Sequence, residues 1–280
     1  MGRPRWQWML LGSAALWAWF AWRKIQKRLT PIDPDLALRY GLDLTRGPRR
    51  VLAVTAHQDD LELLVGGTLR LLALAGSNLT VVVATSGDQQ YSAQRTLDQV
   101  RQQEELDAGN IIGYDDVKFL PFRDLELSRN PYFAKSLKRV WSDAQPDLVI
   151  AFDPTAPYTS AVHPDHLAVG RIVLNIVRSL KSAAPAVVFY GSRNPNVLVD
   201  ISQVIEDKTQ AIACHRSQLY GFKRLYNLAM RLQAQLAGRS ASVRYAEPLR
   251  YLSLPRLHRE AYLETWPAPV PHGPAKIRQP

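Results

Sequence analysis

The sequence predicts an α/β fold: a mainly parallel sheet with helices on its flanks. Three observations carry this expectation. First, Val51-Leu-Ala-Val-Thr55, Leu79-Thr-Val-Val-Val-Ala84 and Asp147-Leu-Val-Ile-Ala-Phe152 are short, β-branched apolar runs. Such runs suit strands buried on both faces. Second, a leucine-rich helix from Thr68 to Leu74 lies between the first two runs. Strand, helix, strand over this length is a βαβ unit with a right-handed crossover. Third, polar clusters stand after the runs: His57, Asp59 and Asp60 after the first, Asp88 after the second, and His163, Asp165 and His166 beyond the third. Ligand sites of open α/β sheets lie beyond the carboxyl ends of the strands.

Taken in order, the chain opens on an uncharged stretch of 17 residues, Trp6 to Trp22 (WQWMLLGSAALWAWFAW). That length is at the short end for a bilayer-spanning helix, and Trp6, Trp8, Trp17, Trp19 and Trp22 favour the membrane interface. The stretch closes on bulky Phe20 and Trp22 and runs into Arg23-Lys24, without a small-residue cleavage site. The expectation is therefore an uncleaved, single-pass anchor over residues 1–23, not a signal peptide. Arg23, Lys24, Lys27 and Arg28 after the span outweigh Arg3 and Arg5 before it, which puts the rest of the chain in the cytoplasm. Residues 24–49 read as a basic connector in which Pro31 and Pro34 stop any helix continuing from the anchor.

The folded domain is expected over residues 50–265. After the βαβ unit, Gln94 to Gly113 reads as a helix with Leu97, Val100, Leu106, Ile111 and Ile112 as its apolar members. A strand follows at Val117–Leu120, and Asn130 caps a helix through Trp141. Beyond the third apolar run and a loop over residues 153–162, Asp165 opens a helix to Leu180. Strands at Ala186–Tyr190 and Asn196–Val199 come next. Leu219 to Leu236 is amphipathic. Packing against the sheet is preferred for it over lying on the membrane surface. Residues 266–280 form a proline-rich tail of disordered composition.

Net charge is +10 with a pI near 9.8. No nucleic-acid motif accompanies it, so the basic excess points to an anionic membrane surface and not to nucleic acid. The single cysteine, Cys214, excludes an internal disulfide.

Taken singly, the polar residues are unremarkable in kind: an Asp-Asp pair after a strand is usually a turn or a cap. Two His/Asp clusters, each following a parallel strand, change the odds because both can converge on one metal. Histidine nitrogen and aspartate oxygen suit zinc, and catalytic zinc keeps three protein ligands and an open position.

These motifs resemble the PIG-L / LmbE-like family of zinc-dependent N-acetylglucosaminyl de-N-acetylases. The resemblance rests on Ala56-His-Gln-Asp-Asp60 before Gly66-Gly67, on Thr85-Ser-Gly-Asp88, and on Arg101-Gln-Gln-Glu104 with Ala108. It continues through Phe119-Leu-Pro-Phe-Arg-Asp124, His163-Pro-Asp-His166, and Lys208 with His215-Arg-Ser-Gln218, covering about Arg50 to Leu254. The expected whole is a Rossmann-like, mainly parallel sheet with flanking helices, preceded by one N-terminal transmembrane helix. The resemblance implies His57, Asp60 and His166 as zinc ligands and Asp59 as general base. It also implies a protonated His163 that stabilises the oxyanion, with Asp165 orienting it. Asp88, Arg123 and Asp124 are candidates for substrate binding, and His215 either enters the site or is structural.

Two departures from the family pattern stand out. Gln58 replaces a proline, which loosens the turn. Leu61 stands where the family has glutamate, and Glu62 comes one position later. On a helix start that displacement points the carboxylate elsewhere, so its support of a ligand is missing or rearranged. The function expected is removal of acetate from an N-acetylglucosamine-containing glycoconjugate or glycolipid. Two other readings stay open: a zinc amidase or esterase on another sugar conjugate, and a non-catalytic, membrane-tethered sugar-binding module. Asp59 speaks against the last, since binding needs no general base; Leu61 speaks for it.

Overall fold

A computed structural model describes residues 33–87, 95–155, 163–180, 184–219 and 223–252. The expected anchor, residues 24–32 of the connector, Asp88, loop residues 156–162 and the tail lie outside these. Among the described residues no helix is long and apolar enough to cross a membrane.

The chain runs α1 (Pro34–Thr45), β1 (Arg50–Thr55), α2 (Asp60–Leu74), β2 (Asn78–Thr85), α3 (Arg95–Ile112) and β3 (Asp116–Phe122). It continues through α4 (Pro131–Ala144), β4 (Leu148–Phe152), α5 (Pro164–Leu180), β5 (Ala186–Tyr190), β6 (Val197–Asp200), α6 (Ile205–Ile212), α7 (Arg216–Leu219), α8 (Lys223–Arg239) and β7 (Ala246–Leu252). The seven strands order as β3-β2-β1-β4-β5-β7-β6. Pairings from β3 to β5 are parallel, and β7 is antiparallel to both its neighbours. The mainly parallel sheet with flanking helices is as expected.

Period-two alternation builds a core on each face. Val51 and Ala53 of β1 pack with Leu148 and Ile150 of β4 in one core, which α2, α3 and α6 cover. Leu52, Val54, Val149 and Ala151 enter the other, closed by Phe133, Leu137 and Trp141 of α4 and Val169 and Val173 of α5. The helices after β1 and β4 therefore leave to opposite faces. This divergence between adjacent parallel strands opens the crevice at the switch of the sheet.

Four elements are absent from the sequence expectation: α1, α6, α7 and β7. The first falls inside the expected connector. Asp33 caps α1 by accepting from the Leu36 N–H at 2.9 Å, and Pro34 occupies the first turn, where its missing N–H costs nothing. Gly41 lets the helix lie directly on β6; a Cβ there would stand 1.8 Å from the Leu198 carbonyl oxygen. The folded body thus begins upstream of Arg50. The direction of α1 is also fixed. Ala37 packs in a cluster with Ala246, whose register partner Asp200 ends β6. Tyr40, Asp43 and Leu44 line a cleft with Leu148, Ala186 and Val197, the first residues of β4, β5 and β6.

The helix after β1 starts at Asp60, eight positions before the expected Thr68, and carries Gly66 and Gly67 inside it. A Cβ on Gly67 would meet Ile201 at 2.7 Å. Glu247 of β7 accepts from the Gly67 N–H (2.9 Å), the Thr68 N–H (2.7 Å) and the Thr68 hydroxyl (2.6 Å). Lys208 of α6 donates to Glu247 at 2.5 Å and to the Leu63 carbonyl at 3.0 Å. Both charges are buried. Removing one partner of such a pair costs about 3–5 kcal/mol, so α2 is clamped firmly to α6 and β7. From Lys223 on, the amphipathic segment lies in α8, which packs on β7 with Ala234 and Ala237 buried, as preferred from the sequence.

Candidate active site

The site is built by two turns on neighbouring strands. Beyond Thr55 the chain turns through Ala56 to Asp59, and Ala56 is held by β2: the Thr85 N–H and hydroxyl both donate to its carbonyl at 2.9 Å. Asp60 Oδ2 accepts from the Thr55 hydroxyl and from the His57 N–H, each at 2.9 Å. On the β4 side, Pro164 starts α5 and puts His166 in its first turn, where the Phe152 ring lies against the imidazole with centroids 4.8 Å apart.

These turns bring His57, Asp60 and His166 together. Asp60 Oδ2 is 3.1 Å from His166 Nε2 and 3.5 Å from His57 Nδ1, and the two ring nitrogens are 3.2 Å apart. Four-coordinate zinc with ligand bonds near 2.0–2.1 Å needs donor separations of roughly 3.3–3.4 Å. The triangle matches that size, and its donors are the types such an ion takes. Burial disfavours the Asp60 carboxylate, but the charge of His166 and hydrogen bonds from both imidazoles outweigh it and hold the group well below its usual range.

Asp165 is fully buried, and its carboxylate accepts from the Leu125 N–H at 2.5 Å and the Leu127 N–H at 3.2 Å. It therefore pins the loop after β3 as well as contacting His163. His163 Nδ1 lies 3.4 Å from the Asp165 N–H and 3.5 Å from Asp165 Oδ2. Burial, then repulsion from His57, pulls His163 below its ordinary pKa.

Asp59 has the left-handed backbone φ of 87°, with no capping bond from its side chain. Burial and the adjacent Asp60 raise its carboxyl to about 7, against the pull of His215, Arg101 and His57. Of the substrate candidates, Asp124 joins the site. It is buried, Oδ1 accepts from the Gly87 N–H at 3.0 Å, and Oδ2 stands 3.9 Å from His57 Nε2. Arg123 is exposed beside it, and Asp88 lies outside the described residues.

Gln58 does not loosen its turn. Its side chain is buried and donates to the Ser86 carbonyl at 3.3 Å, tying the turn after β1 to the one after β2. Arg101 reinforces this by donating to the Gly87 carbonyl. Leu61 packs in the core, while Glu62 turns into a second buried group. Tyr114 donates to Glu62 Oε1 at 2.5 Å, and His215 Nε2 lies 3.3 Å from Glu62 Oε2. Glu105 completes the group and accepts from the Asp59 N–H at 3.3 Å. Sequence reasoning missed Glu105 and Tyr114. The helical i,i+4 spacing from Arg101 was the signal that puts Glu105 on the site-facing side of α3. The Glu104 of the motif instead holds the Ser217 N–H at 2.8 Å and its hydroxyl at 2.6 Å.

Comparison with known proteins identifies the family. The family described as "PIG-L: GlcNAc-PI de-N-acetylase" matches residues 52–177. The probable N-acetyl-alpha-D-glucosaminyl L-malate deacetylase 2 of Bacillus cereus is 32% identical over 188 residues, 61% of this chain and 84% of the relative. The diacetylchitobiose deacetylase of Thermococcus kodakarensis is 30% identical over 225 residues, 73% of this chain and 83% of the relative. Among solved structures, the N,N'-diacetylchitobiose deacetylase from Pyrococcus horikoshii superposes with a TM-score of 0.67 at 26% identity, covering 77% of this chain and 88% of that one. By sequence match and by fold, the chain belongs to the PIG-L family of de-N-acetylases, hydrolases of amide bonds.

Proposed function

We propose that this protein removes the acetyl group from an N-acetylglucosamine-containing substrate, with zinc as its metal. The observation that carries the proposal is the donor triangle of His57, Asp60 and His166 with the carboxyl of Asp59 next to it. A divalent ion held there supplies a Lewis acid that acidifies water and polarises a carbonyl.

The chain's own residues do the rest. Asp59 takes a proton from the attacking water and returns it to the leaving amine. His163 presents a ring proton to the acetyl oxygen as charge develops there. Asp165 keeps that ring in place. Asp124 Oδ2 is buried and faces His57 Nε2 at 3.9 Å, so it supports that ligand from behind. Relatives named for N-acetylglucosaminyl malate and diacetylchitobiose support a glucosamine-type substrate. Because Glu62 brings its carboxylate to the group behind Asp59, Leu61 no longer favours a non-catalytic binding module.

The apolar segment from Trp6 to Trp22 supports a further part of this reading: a single-pass anchor with the catalytic domain in the cytoplasm and a glycolipid or membrane-proximal glycoconjugate as substrate. The test is acetate release by purified, zinc-loaded protein from N-acetylglucosaminyl lipid, diacetylchitobiose and N-acetylglucosaminyl malate. Release from at least one is expected. A fully loaded protein that binds these ligands and releases no acetate would sink the proposal.

A further inference from the structure

We propose that Glu105, supported by Glu62, Tyr114 and His215, is the positioning residue for Asp59. It holds the left-handed turn at Asp59, the residue next to the proposed ligand Asp60. The inference rests on Asp59 being the base of the deacetylation.

Asp59 sits at φ 87°, a conformation that is costly for a non-glycine residue and persists only where its surroundings impose it. Its side chain makes no capping bond, so the turn must be held from elsewhere. Thr85 and Gln58 hold the earlier part of the turn, and at Asp59 itself the N–H donates to Glu105 Oε2 at 3.3 Å. Glu105 is itself fixed. It is fully buried on α3, with His215 Nε2 4.0 Å from the same oxygen. His215 is gripped in turn by Glu62 at 3.3 Å, and Glu62 by the Tyr114 hydroxyl at 2.5 Å. The group draws on α2, α3, the turn after α3 and the segment before α7, so four parts of the chain converge behind one backbone N–H.

Energetics argue against stability as the purpose. Two buried carboxylates and an imidazole can usually be replaced by apolar side chains at no loss. The group's charge is offset internally: Glu62 outweighs burial and keeps His215 a cation, with a pKa of about 9. Burial beside Glu62 pushes the Glu105 carboxyl well above its usual range, so glutamine is a close mimic of it. Glu62, Glu105 and His215 also have donor atoms within 4.8 Å of one another, which makes a buried cation the rival occupant.

The experiment compares Glu105→Ala, Glu105→Gln and Tyr114→Phe with wild type and Asp59→Asn. It reads kcat, KM, metal content and NMR-detected exchange of the Asp59 amide. Glu105→Ala is expected to lose kcat by about 100-fold, the scale of a 1 Å misplacement. KM and metal content should hold, and the Asp59 amide should exchange faster. Glu105→Gln should restore most of the rate and the protection. Tyr114→Phe removes one hydroxyl and should lose about tenfold, roughly one hydrogen bond, which keeps the idea testable if Glu105→Ala does not fold. Unchanged kcat and unchanged amide exchange in Glu105→Ala, with Asp59→Asn inactive, overturns the positioning role and leaves the deacetylase reading intact. An Asp59→Asn as active as wild type overturns the base itself. A second metal equivalent in wild type that Glu105→Ala removes overturns the proposal in favour of a cation site.

Discussion

Asp60 Oδ2 lies 3.1 Å from His166 Nε2, joining the first residue of the helix after β1 to the first turn of the helix after β4. With His57 the contact makes a three-donor site, and one divalent ion per chain is expected there. Elemental analysis should show His57→Ala losing metal and activity together. Chelation should abolish acetate release, and zinc should restore it. Stoichiometric metal in a His57→Ala, His166→Ala double variant would contradict the assignment.

Asp59 and Asp60 are adjacent but should behave differently. Asp60→Ala removes a donor and should strip the ion. Asp59→Asn keeps size and hydrogen bonding but accepts no proton. Its turnover should fall by on the order of 100-fold, the usual worth of a general base, while metal content and ligand affinity stay near wild type. Equal turnover would reject the mechanism.

His215 predicts the sign of a pH dependence. Burial opposes its cation, yet the hydrogen bond and charge of Glu62 win and raise its pKa to about 9. The unfolded value is about 6.5. A folded pKa above the unfolded one means a contribution fully present below about pH 6.5 and lost as pH rises through about 9. Urea denaturation between those values should show stability falling, and His215→Gln should flatten the curve. A wild-type stability that rises over this interval would exclude a charged His215.

Gly41→Ala tests the seat of α1. The new methyl would be driven into the Leu198 carbonyl, which is backbone and cannot rotate away. A loss of about 1–3 kcal/mol is expected, the usual cost of overpacking, read as a lower denaturation midpoint. No change would mean that α1 does not rest on β6 as described.

Full-length protein is expected to remain with membranes through high salt and alkaline wash, because an apolar span and not screened surface charge holds it. A mature chain starting near residue 24 would refute both the anchor and its orientation.

The strands and helices that build the crevice were legible because each buries a continuous apolar run or a clean helical face. Val51–Thr55 and Asp147–Phe152 show this, and the His/Asp clusters follow them directly. What escaped had conflicting local signals. The segment Ala246–Leu252 carries Glu247, Pro248 and Arg250 and does not look like a strand. It is one because Lys208 and Asp153 pair with those buried charges: Arg250 grips Asp153 at 2.7 and 2.9 Å. Pro34 read as a helix stop and proved to be a helix start. Gly66-Gly67 read as a boundary and lies inside α2, where Ile201 leaves no room for a side chain on Gly67. Glu105 was hidden because its role depends on a backbone N–H that no motif records.

The direction of α1 has a consequence for delivery. Its N-terminal end points to the edge of the sheet where the strands finish, which is the edge that carries the triad. From Trp22 to Asp33 the chain covers 11 residues, a leash of at most about 40 Å when fully extended. In the proposed anchored arrangement the start of α1 therefore cannot stray beyond that reach from the bilayer, and the triad lies further across the sheet at the same strand-end edge. For the glycolipid substrate proposed above, the encounter would then become a search over a surface instead of through a volume.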